Sequence, residues 1–256
     1  MKKIIFALLF TGMLPTVKAQ ELRNENVSAF KRGEILNYRI HYGFIDAATA
    51  SIEVKNENTL IGGRNTFHIV GIGVSNTNFD WFFKVRDRYE TYIDEKALVP
   101  WLFIRRVNEG GYIINQNMVF NQLKHTVNSN GKTLNVPPNI QDMISSFYYA
   151  RCFDFSKAKK GDLFDVPSFV DDKLFNLQIK FLKRETITTT FGKIKCLVFV
   201  PVLQTGRIFK HEEDMKVWIT DDANHIPIRA EADILFGSLK MDLQSYSGLA
   251  NPITFH

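Results

Sequence analysis

Apolar and polar residues alternate along most of this chain. In the segment 34–42, apolar residues occupy the even positions from Leu36 to Tyr42, and Asn37, Arg39 and His41 lie between them. Successive side chains of a strand point to opposite faces, so this pattern predicts a half-buried β-strand. The segment 50–55 repeats the alternation, and the short link 43–46 predicts a hairpin between the two.

The same pattern recurs to the end of the chain. Further strands are predicted at 66–75, 88–94, 101–108, 112–122, 174–183, 185–190, 193–202, 215–220, 226–235 and 239–246. Gly110-Gly111 predicts a turn, and Asn130-Gly131 predicts a type I′ hairpin because both residues tolerate positive φ. Evenly spaced strands with turn signals predict one mainly β domain, an antiparallel and incomplete β-barrel or a strongly curved sheet.

Two segments change to helical spacing and predict two short helices. Asn78 is placed to cap the first and Asn139, after Pro137-Pro138, to cap the second. Each helix carries apolar residues spaced three or four apart, so each should face an apolar surface. The stripes consist of Phe79, Phe82 and Phe83 in the first and Ile140, Met143, Ile144 and Phe147 in the second.

The first nineteen residues have the pattern of a signal peptide. Lys2 and Lys3 precede an apolar run over 4–14, and Val17-Lys18-Ala19 places small residues at the positions that a signal peptidase reads, predicting cleavage before Gln20. A bilayer span needs about 20 apolar residues and this run is shorter. We therefore expect a signal peptide over 1–19 and one exported domain over 20–256 with no transmembrane segment, in the periplasm rather than secreted.

The net charge changes once that segment is set aside. Three lysines (Lys2, Lys3 and Lys18) lie in it and no acid does, so the formal charge of +5 falls to +2. The remaining basic residues occur as scattered pairs with acids nearby. This distribution is typical of a solvated surface, and we expect no nucleic-acid partner.

The chain has two cysteines, Cys152 and Cys196. In an oxidising compartment they could form a disulfide, which would constrain the unfolded chain by about 4 kcal/mol. Cys196 also alternates with apolar neighbours as a small buried residue would. The sequence leaves both alternatives open.

Motifs for catalysis, metal binding or cofactor binding are absent from the sequence. The histidines have no HExxH or paired spacing, the run 211–214 is typical of a solvated turn, and Asp221-Asp222-Ala223-Asn224 is typical of a turn rather than a calcium loop. No Gly-x-Ser-x-Gly, phosphate loop or dinucleotide fingerprint occurs. We therefore expect a non-enzymatic protein with no catalytic residue, no metal site and no cofactor.

Three groups of residues resemble a known family. They are the opening 33–38 (GEILNY), the segment 85–94 (VRDRYETYID), and the closing 217–222 (VWITDD) with Ile226-Pro227-Ile228 and Gly237-Ser238-Leu239. Together they are similar to exported bacterial proteins known as domain of unknown function 3108, over nearly all of the chain after the signal. The resemblance implies an incomplete antiparallel barrel, similar in outline to periplasmic lipoprotein carriers, and it implies no activity or site residues.

The remaining indication of function is the large amount of apolar surface that the strands and the two predicted helices carry. Either the core is filled, or a concave face holds a hydrophobic ligand beneath the two helices. The candidate lining residues are those on the helices: Phe79, Phe82, Phe83, Met143, Ile144 and Phe147. The leading hypothesis is a protein that binds a lipid or an acylated envelope component. The alternative is an interaction or assembly subunit of an envelope complex without a small-molecule ligand.

Overall fold

The computed structural model describes residues 21–202, 214–233 and 237–255. Within them fifteen strands form one antiparallel sheet, and one short helix packs against it. The elements are β1 Ile35–Tyr42, β2 Ile45–Val54, β3 Thr59–Ile61, β4 Arg64–Ser75, β5 Arg86–Asp94, β6 Pro100–Glu109, β7 Tyr112–Asn121, β8 Thr126–Ser129, β9 Lys132–Asn135, α1 Met143–Ala150, β10 Leu163–Val170, β11 Lys173–Thr189, β12 Gly192–Pro201, β13 Met215–Thr220, β14 Pro227–Asp233 and β15 Ser238–Ser247.

The sheet is long, continuous and open. Its order is β10-β11-β12-β13-β14-β15-β1-β2-β4-β5-β6-β7-β8-β9, with β3 paired to β4 beside this path. Among the described strands β9 and β10 stand at opposite ends of the order and do not pair with each other, so the barrel is incomplete. The predicted fold class, a mainly β antiparallel and incomplete barrel, is confirmed.

Turn chemistry explains several of the connections. Asn130 and Gly131 both have positive φ (46° and 91°) between β8 and β9, as the type I′ prediction requires. Gly110 and Gly111 likewise have positive φ in the β6–β7 turn. β11 is one strand where two were predicted, because a bulge between Phe181 and Lys183 absorbs the break in its alternation.

The second predicted helix exists but begins later than predicted. Asn139 has a left-handed φ of 60°, and the backbone of Gln141 bonds to Pro167 and Phe169 of β10, so neither residue can enter a helix. Asp142 caps α1 instead, in a capping box with Ser145.

The first predicted helix is wrong. Residues 77–82 form consecutive turns in which Asn76 O accepts from Phe79 N and Asp80 N, and Phe79 O accepts from Phe82 N and Phe83 N. The segment is too short to repay helix nucleation, and Thr, Asn, Asp and aromatic residues have weak helix propensity. The Asp80 side chain also bonds to Ser75 and Arg86 at the strand ends, which holds the segment as a loop.

The apolar core consists of several clusters along the curved sheet. One contains Phe30, Ile69 and Tyr148, where α1 and the segment before β1 lie against β4. A second gathers Phe103, Phe120 and Phe169, so the β10 hairpin packs on β6 and β7 despite the open order. These two clusters fill the inner face of the sheet where α1 packs on β4 and where the β10 hairpin packs on β6 and β7.

Candidate functional site

A buried ion pair fixes one end of the sheet. Arg151, the C-cap residue of α1, donates from Nη1 to Glu34 Oε1 (2.6 Å) and from Nη2 to Glu34 Oε2 (2.8 Å), and both side chains are at most 2% exposed. The hydrogen bonds from Arg151 to the Glu34 carboxylate raise the pKa of the guanidinium against the opposing effect of its burial. The pair is bidentate and charge-assisted, the strong form of such a contact.

The Arg151 guanidinium connects the end of α1 with two other segments of the chain, and Asn251 joins a third to them. Arg151 Nε donates to Asn224 O (3.0 Å) in the β13–β14 turn, and Nη2 donates to Ala29 O (2.9 Å) before β1. Asn251 Nδ2 adds the C-terminal segment through Ser28 O (2.7 Å), and Asn251 N donates to Asn224 Oδ1 (2.9 Å). This end of the sheet is a structural junction in which the polar groups are partnered.

Next to α1 the inner face holds an apolar groove. Its volume is about 390 Å³, within the range typical of small-molecule sites. Seven strands and α1 contribute to its lining, which consists of Tyr38, Ala50, Ser51, Ile52, Gly71, Ile72, Gly73, Asp87, Tyr89, Phe147, Met215, Val217, Pro227, Ala230 and Met241. Below, "the groove" means this set of residues.

Two glycines of β4 make room for the groove. A Cβ at Gly71 would lie 3.2 Å from Ile144 Cδ1, so α1 approaches the strand closely there. At Gly73 the nearest atom to an added Cβ is Asp87 Cβ at 3.8 Å, an ordinary contact. Glycine inside a strand is typical of close approach by another backbone or a ligand, and this was the signal that sequence reasoning could have used.

Two polar side chains of the groove, Tyr38 and Asp87, are engaged in hydrogen bonds. Tyr38 Oη donates to Pro227 O (3.2 Å), and Asp87 Oδ1 accepts from Asn108 N (3.0 Å). Burial raises the pKa of both Tyr38 and Tyr89, so their hydroxyls stay protonated at neutral pH. The groove therefore offers an apolar surface with a few fixed hydroxyl and carboxylate groups rather than a ready base.

The six predicted lining residues are not brought together. Phe147 lines the groove, and Ile144 packs behind it at Gly71. Met143 points outward and is 39% exposed. Phe79 is half-buried in the β4–β5 loop, where Phe82 and Phe83 are exposed, so these three lie at the rim of the sheet rather than in the groove.

Both cysteines are free thiols. Cys152 packs beside Phe30 and Tyr148, whereas Cys196 lies in a different cluster with Val198 and Trp218. Burial raises the pKa of Cys152, and it raises that of Cys196 to about 12. Of the two alternatives, the buried apolar role describes Cys196, and the disulfide is not present.

Another polar cluster outside the junction surrounds His68. Its Nδ1 lies 2.6 Å from Glu57 Oε1, its Nε2 lies 2.8 Å from Glu90 Oε2, and its ring stacks on Tyr92. The hydrogen bond with His68 lowers the pKa of Glu57. Within the described ranges, no three His, Cys, Asp or Glu side chains are arranged to hold a metal ion. The predicted solvated turn at 211–214 lies almost wholly outside those ranges, as do the signal segment 1–19 and Gln20.

Comparison with solved structures supports the fold. The chain is similar to a β-barrel-like protein of domain of unknown function DUF1849 from Brucella abortus, at 9% identity and a TM-score of 0.54, over 86% of this chain and 99% of that one. At this identity the likeness concerns the fold alone.

Two further structures are more distant. A candidate lipoprotein from Parabacteroides distasonis is 12% identical over 89% of this chain and 100% of that one, with a TM-score of 0.37. A candidate exported protein with a YmcC-like fold from Bacteroides fragilis is 13% identical over 86% and 99%, with a TM-score of 0.32. Neither TM-score is high enough to carry an argument.

Comparison with protein families is more direct. No curated protein matches the sequence. The profile of the family described as "Protein of unknown function (DUF3108)" matches residues 37–244, which run from β1 into β15 and cover most of the chain. The chain therefore belongs to the DUF3108 family, as its opening, central and closing motifs predicted.

Proposed function

We propose that this protein is a non-enzymatic binding protein of the bacterial cell envelope that holds a hydrophobic or amphiphilic component, a lipid or an acylated protein, in the groove. The observation that carries the proposal is the apolar lining of the groove beside α1. A volume of about 390 Å³ accommodates a hydrocarbon chain or a small amphiphile.

The shape of the groove supports binding of a flexible apolar chain. Gly71 and Gly73 remove side chains from its floor, while Met215 and Met241 supply unbranched side chains that adapt to different shapes. Phe147 forms the wall on the side of α1. Such a surface binds by apolar contact and selects weakly among head groups.

The location in the envelope rests on the N-terminal segment. Its charged start, apolar run and small residues before Gln20 favour export. The described residues contain no helix of sufficient length and hydropathy to cross a bilayer. In the periplasm, lipids and acylated proteins are the abundant apolar ligands, and we propose this compartment over secretion.

The test fills the groove from its own floor. Gly73→Leu places a four-carbon side chain there, and the 3.8 Å spacing at Cβ allows the strand to accept it. We expect at least a tenfold loss of affinity for the fluorescent probe N-phenylnaphthylamine, and loss of any acyl species from organic extracts measured by mass spectrometry.

Thr49→Leu is the matched control. Thr49 is exposed and lies in β2 opposite Val74, on the face away from the groove, so the same side chain is added without filling it. We expect wild-type probe binding from this variant. Equal binding by wild type and Gly73→Leu would contradict the proposal.

The alternative is an assembly subunit without a small-molecule ligand. It is favoured by the open sheet, since β9 ends the strand order and has mostly exposed side chains. Extracts without any stoichiometric acyl species, together with a single protein crosslinked to a photoreactive residue in β9, would support this alternative.

A further inference from the structure

Large apolar side chains project from three neighbouring turns at one rim of the sheet. Each turn contributes two that are more than half exposed: Phe44 and Ile45 between β1 and β2, Trp81 and Phe82 between β4 and β5, and Tyr112 and Ile113 at the start of β7. Below, "the aromatic rim" means these six residues. Because these six side chains are exposed to solvent, they contribute little to the stability of the fold. Their exposure therefore calls for another explanation.

Backbone contacts fix the three turns side by side. Asn76 N donates to Ala47 O (2.9 Å) and Asn76 Nδ2 to Asp46 O (2.9 Å), which joins the first turn to the second. Gly110 N donates to Lys84 O (2.8 Å), which joins the second to the third. A Cβ at Gly110 would lie 2.7 Å from Phe83 Cε2, so the Phe83 ring packs directly on this glycine. These contacts hold the three turns in fixed positions relative to one another.

Two acidic groups beside the aromatic rim are ion-paired. Asp80 accepts from Arg86 at both carboxylate oxygens (3.0 and 2.5 Å), and the hydrogen bonds from Arg86 lower the pKa of the Asp80 carboxyl. Asp46 is ion-paired with Arg39. These pairs reduce the electrostatic cost of bringing the rim to an anionic surface.

Cations lie behind the aromatic side chains. Lys84 is exposed in the β4–β5 turn itself. Arg88 of β5 and Arg106 of β6 are directly opposite each other. Arg88 Nε donates to Glu90 Oε1 (2.7 Å) and Arg106 Nη2 donates to Asn117 Oδ1 (2.8 Å), so Glu90 offsets only one of the two positive charges. In this order, the apolar side chains of the aromatic rim would reach the boundary between head groups and acyl chains, and the cations would lie at the level of the lipid phosphates.

We propose that the aromatic rim docks the protein on an anionic lipid bilayer, with the six side chains in the interfacial region and Lys84, Arg88 and Arg106 near lipid phosphates. A fluid surface suits this rim better than a folded partner does, because the apolar residues stand on separate turns instead of forming one flat face. Docking does not require that the groove hold a ligand. If both proposals hold, the groove lies on the inner face of the docked strands, close to the lipid.

Trp81 provides the readout. It is 84% exposed, whereas Trp218 is 8% exposed and Trp101 is partly buried, and these are the three tryptophans of the chain. The full chain is mixed with vesicles of phosphatidylcholine containing one quarter phosphatidylglycerol. We expect a blue shift of the emission, quenching by brominated acyl chains, loss of both in Trp81→Phe, and weaker binding at high salt.

Binding is then tested with one change in each turn. Phe44→Ser, Phe82→Ser and Ile113→Ser together leave Trp81 in place, and we expect at least a tenfold fall in vesicle affinity with unchanged thermal unfolding. Leu60→Ser, Val119→Ser and Leu163→Ser, three exposed residues outside these turns, are the matched control and should bind as wild type does.

Two results would overturn the proposal. One is that the triple variant Phe44→Ser, Phe82→Ser, Ile113→Ser, the rim variant, binds vesicles as tightly as wild type does, when both are measured as full chains. The other is a wild-type oligomer that the rim variant converts to a monomer, without any vesicle binding by wild type, which would make the rim an interface between copies. Probe binding in the groove is measured on the same variants, so failure of docking and failure of ligand binding are separate outcomes.

Discussion

The two ends of the sheet differ in the burial and the hydrogen bonding of their side chains. At the end where β1 begins, Glu34 and Arg151 are buried with their polar atoms partnered, and α1 and both terminal segments cover the strands. At the end where β1 meets β2, Phe44 and Trp81 stand in solvent. The side chains at the first end stabilise the fold, and those at the second end are exposed and available for contact with a partner.

This difference separates stability from binding within one domain. A buried charge is tolerated only with its partner, so the junction end resists change. Exposed apolar residues on turns add little to stability, so the rim end is free to vary. Changes at the first end should lower the free energy of unfolding, and changes at the second should alter binding alone.

The largest effect is expected at the ion pair. Arg151→Met leaves Glu34 buried without its partner, and we expect a loss of about 3–5 kcal/mol in the free energy of unfolding, measured by urea denaturation. Arg39→Met removes the same charge from the exposed pair with Asp46 and should cost less than about 1 kcal/mol.

Adding Glu34→Leu to Arg151→Met removes the stranded charge and should restore part of the loss. If Arg151→Met were no more destabilising than Arg39→Met, the two ends would not differ in the way described.

A smaller effect, visible as pH dependence, is expected at Asp142. This buried N-cap residue accepts from Ile144 N and Ser145 N, and burial raises the pKa of its carboxyl from 3.8 to about 6. The folded state therefore binds the proton more tightly than the unfolded state. The stabilising contribution is fully present below pH 3.8 and is lost as the pH rises through about 6, by about 3 kcal/mol.

Asp142→Asn isolates this contribution from that of other titrating groups. The amide oxygen still caps α1, but the side chain no longer titrates. We expect the difference in unfolding free energy between wild type and Asp142→Asn to change with pH between 4 and 6. A constant difference across that range would show that Asp142 does not titrate there.

The smallest effect concerns the two thiols. Because burial raises the pKa of both Cys152 and Cys196, we expect neither to react with iodoacetamide in the folded protein at pH 8, and both to react in urea. Reducing agent should not shift the unfolding temperature. Mass spectrometry of the alkylated protein checks the first expectation, and a resistant disulfide would contradict both.

Much of the fold was predictable because strand alternation and turn chemistry are local. β13 was predicted with its observed bounds, and the Asn130-Gly131 hairpin with its positive φ values. β10 was missed because Pro167 and Ser168 interrupt its apolar pattern, and its place is set by pairing with β11. The first helix was predicted from Asn78 as a cap and from the spacing of Phe79, Phe82 and Phe83. Neither signal shows that the Asp80 side chain bonds to Ser75 and Arg86 at the strand ends.

The candidate site was less predictable than the fold. Phe147 was found because an apolar stripe marks a packed helix face. Gly71 and Gly73, which create the space, interrupt the alternation of β4, but a glycine in a strand does not show which face it opens or what approaches it. The partners Glu34 and Arg151 are 117 positions apart, and no local signal joins them.

The sequence by itself determined that this chain forms an antiparallel β domain of the DUF3108 family, because strand periodicity, turns and family motifs are properties of neighbouring residues. Only the tertiary structure decided where the sheet stays open, which apolar residues line a groove and which stand at a rim. Those outcomes depend on how distant strands curve against one another and on α1, whose start is set by a contact with β10.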